Sequence, residues 1–314
     1  MMIGYFRRNP ALLGVLSLIV LLTVIGCLFS KDFRSVQNFQ NVFEQSAPLA
    51  FTALGQTVVI ITRGIDLSID AQIALLSSLA SGIVDSDAQR AIPVVLGVLA
   101  LGVIIGLITG GLIVALRIHA LIVTLGMAAI LQGLALLYTL TPVGGIPDGY
   151  DFFGYGRVLG VPVGMALAVV LFAIVGFVLT YTRLGRQIYA FGGDPRAATM
   201  AGLPTTRVIL FTYCLMGLLT AVTAVFLVSR LGVGNPVADG GFNLGSITAV
   251  VIGGTMLTGG RGSVLGTLLG VFMVQLLNNL LNFLDVSTFY QWMIQGAIVI
   301  VAVSLYVERR RARA

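Results

Sequence analysis

Ten apolar segments alternate with short polar intervals along the chain: 10–29, 44–62, 70–84, 92–116, 120–140, 158–181, 207–229, 244–258, 262–281 and 288–307. Several are apolar over 18 residues or more, the length at which one helix crosses about 30 Å of hydrocarbon. The pattern predicts an all-α integral membrane protein with about ten transmembrane helices. As a single helix the 158–181 segment is about 36 Å long and crosses with some tilt. The segments 70–84 and 244–258 are shorter and are expected as short, tilted or broken helices. No polar interval is long enough for a soluble domain, so residues 1–314 are expected to form one transmembrane domain.

The most informative polar interval runs from Tyr181 to Pro204. Arg183, Arg186, Arg196 and Arg207 crowd in and beside it. At the centre of a bilayer each arginine costs roughly 2.5–3.5 kcal/mol, so the interval lies outside the hydrocarbon. Within it Asp194 suits an N-cap, Pro195 the first helical position and Gly202 a helix stop. A short, capped, basic helix between two spans is expected there, within a loop at 182–206.

Composition fits this picture and excludes several chemistries. The chain is 58% hydrophobic and 10% charged, with a mean hydropathy of +1.04; soluble domains carry about 25% charge. Its net charge of +6 does not point to nucleic acid, because the basic residues flank apolar spans and form no single patch. Lys31 is the only lysine, so a phosphate loop of the G-x-x-x-x-G-K-[ST] type is impossible and the chain has no ATPase site of its own. His119 is the only histidine, which rules out a multi-histidine metal site within the chain. Cys27 and Cys214 both fall inside apolar segments and read as core thiols. Neither metal nor cofactor is expected. The positive-inside rule orients the chain with both termini cytoplasmic. This puts Arg7, Arg8, Arg63, Arg117, Arg183, Arg186, Arg196, Arg207, Arg261 and the C-terminal arginines inside, and Lys31, Arg34, Arg90, Arg157 and Arg230 outside. The first apolar run follows Arg7 and Arg8 as in a signal peptide. It lacks a small-x-small cleavage site and is long enough to span, so a retained helix is expected.

Three polar constellations interrupt the spans. In Arg63-Gly-Ile-Asp-Leu-Ser-Ile-Asp70, Gly64 suits the end of one helix and Asp66 or Ser68 the cap of the next. Asp66 and Asp70 are spaced i,i+4, so one helix face can carry both. Two readings fit: a proton or cation site, or a capped turn at the membrane surface. His119, in Arg117-Ile-His, stands at a helix start. The glycine pairs Gly253-Gly254 and Gly259-Gly260, followed by Gly262, fit a tight turn and close helix contacts. Polar residues within spans include Gln56, Thr57, Gln132, Gln275, Asn278, Asn279 and Asn282. The last four lie at i, i+3, i+4 and i+7, one helical stripe. They serve either as lining for a hydroxyl-rich solute's path or as interhelical glue.

Four stretches together resemble the membrane permease family of ribose-type ABC sugar importers. They are Gly64-Ile-Asp66-Leu67-Ser68; Ala120-Leu-Ile-Val-Thr124-Leu-Gly126; Gly253-Gly-Thr followed by Gly259-Gly260-Arg-Gly262-Ser-Val-Leu-Gly-Thr267; and Arg183-x-Gly185-Arg186 with Tyr189-Ala-x-Gly-Gly193, then Arg196-Ala197-Ala198-x-x-x-Gly202. Phe33, Asn38, Asn41, Val42 and Gln45 add to the likeness, which runs from about residue 30 to the C-terminus. It implies a type II-like ABC importer permease that carries a monosaccharide inward across the bacterial cytoplasmic membrane. It also implies partners: cytoplasmic ABC ATPase subunits, an extracytoplasmic solute-binding protein and a second permease subunit, identical or different. In this reading Asp194–Gly202, with Pro195 and the flanking arginines, is the coupling helix that enters a cleft on the ATPase. Asp70 stands where the family usually has Gly, His119 where it has Pro, and Asp194 where it has Asn. Related permeases for nucleosides, autoinducer-type furanones or branched-chain amino acids share the pattern. An ion-coupled secondary transporter using Asp66 and Asp70 is the alternative of another class.

Overall fold

The computed structural model describes residues 10–237 and 241–311. In chain order its elements are α1 (Pro10–Phe29), α2 (Val36–Ile61), α3 (Ile69–Val84), α4 (Ala88–Leu116), α5 (Ala120–Tyr138), α6 (Phe152–Tyr155), β1 (Arg157–Val158), β2 (Val161–Pro162), α7 (Val163–Tyr181), α8 (Arg183–Gly193), α9 (Pro195–Met200), α10 (Thr205–Leu231), α11 (Phe242–Ile252), α12 (Val264–Phe283) and α13 (Thr288–Arg311). Every one of the ten apolar segments holds a helix. Among the described residues six of these, α1, α4, α5, α7, α10 and α12, are long and apolar enough to cross a membrane. A count of ten rests on α2, α3, α11 and α13, which do not meet that criterion. The first half of α2 is polar, with Gln37, Asn38, Gln40, Asn41, Glu44 and Gln45, while α3 and α11, at 16 and 11 residues, reach only about 24 and 16 Å.

Several boundaries differ from the sequence expectation, each for a local reason. Ser35 caps α2 by accepting the Asn38 N–H at 3.1 Å, so this helix starts well before residue 44. The 158–181 segment is not one helix. A β1–β2 hairpin turns at Leu159 and Gly160, both at positive φ, and α7 begins only at Val163. The 244–258 segment stops as helix at Ile252, because Gly254, Gly259 and Gly260 adopt positive φ and form a compact turn.

The core is built around α2 and α10. Residues 46–61 of α2 are buried without interruption, so this part of the helix touches protein on all sides. Phe51 of α2 stacks edge-on against Phe226 of α10, which also meets Phe153. The antiparallel pair α4–α10 packs backbone to backbone. A Cβ at Gly106 would lie 2.1 Å from the Tyr213 carbonyl, and one at Gly217 would lie 2.1 Å from that of Gly102. In lipid such close approach replaces the hydrophobic drive that water supplies to soluble cores. Val20, Ile104, Ile122 and Val169 on α1, α4, α5 and α7 stay exposed, as lipid-facing residues do. Cys27 and Cys214 are free and only half-buried.

The helix contacts define two ends. One gathers the end of α2, α8, α9 and the glycine turn after α11, and carries Arg63, Arg183, Arg186, Arg196 and Arg261. The antiparallel α4–α10 pair brings Arg117 and Arg207 to the same end. The opposite end holds Arg90 with Asp87, and Arg157 with Glu44 at 2.5 Å. Arg7, Arg8 and Arg313 lie outside the described residues.

Candidate functional site

The expected capped helix at 182–206 is a helical hairpin. Thr182 starts α8 by accepting the Gly185 N–H at 3.2 Å. Gly185 and Ile188 turn inward, whereas Arg183 and Arg186 stay exposed. Asp194 closes α8 and opens α9. Its Oδ1 accepts the N–H groups of Arg196 at 2.9 Å and Ala197 at 3.1 Å, with Pro195 in the first turn. These donors, the Ala197 N–H first, hold the Asp194 carboxyl below the usual carboxylate range, and the Arg63 and Arg196 charges act in the same direction. Gly202 follows at φ 74°, and the Leu203 N–H returns to the Ala198 carbonyl at 3.1 Å. Ala198 is buried beneath the hairpin, while Arg196, Ala197 and Met200 face outward.

Backbone contacts seat this hairpin on the core. The Arg63 guanidinium donates to the carbonyl oxygens of Gly192, at 2.6 Å, and Gly193. The Gly260 N–H donates to the Ile61 carbonyl at 2.9 Å, and the Tyr189 hydroxyl to that of Gly262 at 3.0 Å. A Cβ at Gly192 would lie 1.8 Å from the Ile61 carbonyl oxygen, and one at Gly259 2.3 Å from Arg63 Cγ. Neither position has room for a side chain. The end of α2, the end of α8 and the glycine turn thus meet as three backbones in contact.

The Gly64–Asp70 stretch corrects one expectation. The end of α2 is shared: Arg63 takes the left-handed conformation at φ 65°, and the Gly64 N–H returns to the Val59 carbonyl at 2.9 Å. Asp66 and Asp70 share no helix face, because Asp66 precedes α3 in the loop. Its Oδ1 accepts the backbone N–H and hydroxyl of Ser68 at 2.8 and 2.6 Å, forming a local turn. Gln56 and Thr124 tie this loop to α2 and α5 through the Asp66 and Ile65 carbonyls. Leu67 offers its carbonyl to Asn243 Nδ2 at 3.0 Å. Asp70 reaches across to α11, accepting the Phe242 N–H at 3.0 Å and the Asn243 N–H at 3.2 Å. Asn243 Oδ1 in return accepts the Asp70 N–H at 3.4 Å. Two short helices, one from each half of the chain, therefore cap each other. His119 caps α5, its Nδ1 accepting the Leu121 N–H at 3.3 Å. Gly126 faces open space on α5.

The polar residues in spans separate into two groups. Asn279 and Asn38 exchange two hydrogen bonds, at 2.9 and 3.0 Å, binding α12 to α2. Asn282 accepts from Gln291 at 2.6 Å, binding α12 to α13. Gln132 donates to the Pro236 carbonyl at 2.8 Å, and Thr57 meets Thr267 at 2.7 Å. Gln275 and Asn278 line a cavity with a volume of about 340 Å³ between α2, α10, α11, α12 and α13. Gln45, Gln295, Arg230 and Tyr155 complete its polar lining. Of these, Gln45 lies in the family-like stretch before residue 46. Gln295 has no local signal, since its helix is read only as an apolar span.

Residues 38–303 match the family model described as branched-chain amino acid transport system / permease component. The chain is 38% identical to the ribose import permease protein of Escherichia coli (strain K12) over 295 residues, 92% of this chain and 91% of that protein. It is also 38% identical to the ribose import permease protein of Bacillus subtilis (strain 168) over 305 residues, 96% and 93% of the two chains. The D-allose transport system permease protein of Escherichia coli (strain K12) is 30% identical over 289 residues, 92% and 89%. No solved structure matches. With its family model and these relatives spanning nearly the whole sequence, the chain belongs to the permease-component family of ABC import systems, among the members that resemble ribose permeases.

Proposed function

We propose that this chain is the type II-like membrane permease subunit of an ATP-driven monosaccharide importer, embedded in the cytoplasmic membrane with the hairpin end and both termini inside. It takes solute from an extracytoplasmic binding protein, pairs with a second permease subunit, and is driven by cytoplasmic ABC ATPase subunits. Residues 1–314 form the single permease domain, and 182–206 its coupling loop. The observation that carries the proposal is the hairpin: a capped, exposed, basic element fixed to α2 through Arg63, Gly192 and Gly193. A chain without a phosphate loop needs such a lever to receive ATP-derived motion. Relatives named for ribose and D-allose favour a monosaccharide over an amino acid. The carboxylates an ion-coupled transporter would use are both engaged within the protein, Asp66 in a turn with Ser68 and Asp70 in the cap of α11.

Ala197 is the place to test docking, because it faces outward while Ala198 is buried under the hairpin. Ala197→Glu is expected to accumulate in the membrane yet lose ATP-driven sugar uptake by about tenfold or more, equivalent to ~1.4 kcal/mol of docking. Normal uptake by this variant rejects the coupling role.

A further inference from the structure

Resting on the permease reading, we infer that the carboxamides of Gln45, Gln275, Asn278 and Gln295 form a binding station for a neutral, polyhydroxylated solute. The four polar residues of the α12 stripe pair with carboxamides on both neighbours, two on α2 and two on α13. Asn279 and Asn38 use an oxygen and an amide nitrogen each on one another. That pair is glue. The pairs facing the cavity differ. Gln275 donates one bond to Gln45 Oε1 at 3.2 Å, and Gln295 donates one to Asn278 Oδ1 at 3.1 Å. A carboxamide offers two N–H donors and two acceptor lone pairs. After this single exchange the Gln45 and Asn278 nitrogens and the Gln275 and Gln295 oxygens keep hydrogen-bonding capacity, on residues that line the cavity. The set alternates donor and acceptor, as neighbouring hydroxyls on a sugar do, since each hydroxyl both donates and accepts.

Depth and chemistry suit a station on a path. Gln275 lies eight residues before the end of α12, roughly 12 Å below it. Leu49, Phe242 and Val274 supply apolar wall for the C–H face of a ring. The volume of about 340 Å³ is at the small end of ligand cavities. The four carboxamides are neutral and bind a hydroxyl without burying an unpaired charge, and so release it readily, which a transport path requires; the one charged residue in the lining, Arg230, lies over the Tyr155 ring at 5.4 Å. Phe242 is also the residue whose N–H is held by Asp70, so the wall of the station is fixed by the cap between the two half-length helices.

The test uses the chain reconstituted in lipid vesicles with its co-purified ATPase and binding protein. D-ribose, D-allose and L-arabinose serve as probes, and the readout is sugar moved per ATP hydrolysed. Gln275→Met and Asn278→Leu remove the carboxamides at similar volume. Each is expected to lower that ratio about fivefold or more, ~1 kcal/mol by RT ln 5, while ATP hydrolysis still responds to the loaded binding protein. Asn38→Leu with Asn279→Leu is expected to lower yield but keep the ratio. If a cavity variant fails to accumulate, Gln45→Glu carries the same test. It keeps the oxygen that Gln275 needs and replaces the N–H donors with a second oxygen that carries charge, so a neutral hydroxyl loses its donor there. Wild-type ratios in the cavity variants overturn the station. Wild-type vesicles that take up none of the three sugars overturn the monosaccharide reading instead.

Discussion

Asp70 does the most for its size. Its carboxylate holds the first two N–H groups of α11, and Asn243 returns a bond to the start of α3. The N-terminal N–H groups of a helix have no partner within it, and in lipid no water replaces one. Asp70→Ala strands both donors and is expected to cost about 1–3 kcal/mol, whereas Asp70→Asn keeps one acceptor and falls between. Thermal unfolding in detergent gives the order Asp, Asn, Ala; equal midpoints for all three would remove the cap from the fold's supports. The sequence showed an acidic residue where the family has glycine, and the i,i+4 spacing invited pairing it with Asp66. The real partners lie 172 and 173 residues downstream, a distance over which periodicity carries no information. Arg63 is a similar case. Its charge marked a membrane boundary, but nothing local announced that it would clamp Gly192 and Gly193.

Elements were most legible where their signals are local. Asp194, Pro195 and Gly202 announce the limits of α9 because caps act within a few residues. The hydrophobic runs announced a helix in each apolar segment for the same reason. The α12 stripe was visible as a stripe, yet its division into glue and cavity lining depends on what α2 and α13 present to each face. The Asp194 cap also has a pH signature. Its carboxyl is held below the ordinary carboxylate value by the Ala197 and Arg196 N–H groups. A depressed pKa means the cap's contribution is complete above the unfolded value, about 3.9, and is lost as pH falls through the folded one. Amide exchange at Arg196 and Ala197 is therefore expected to stay slow near neutrality and to lose protection only in acid. Asp194→Asn, which caps without ionising, should lose none beyond the intrinsic pH dependence. Identical acid behaviour in both proteins would mean that packing on Ala198 holds α9.

For the whole molecule, the central inference is sidedness. Arg63, Arg117, Arg183, Arg186, Arg196, Arg207 and Arg261 collect at the hairpin end. A bias of this size in short loops sets orientation during insertion. In the proposed function the same end meets the ATPase, so topology and coupling stand or fall together. The structure supplies two reporters of that arrangement. Met200 is 88% exposed on the hairpin, and Leu159 is fully exposed at the tip of the β1–β2 turn. That turn lies at the opposite end, where Arg157 bonds Glu44 and Gln40 of α2. With Cys27 and Cys214 replaced by Ser, Leu159→Cys should react in intact cells with a maleimide that cannot cross the membrane. Met200→Cys should react only after the membrane is opened. The reverse result would put the hairpin outside, beyond the reach of any cytoplasmic ATPase, and would end the coupling proposal whatever the packing of its helices. Labelling of both in intact cells would mean that the chain inserts in two orientations and that its arginines do not decide between them.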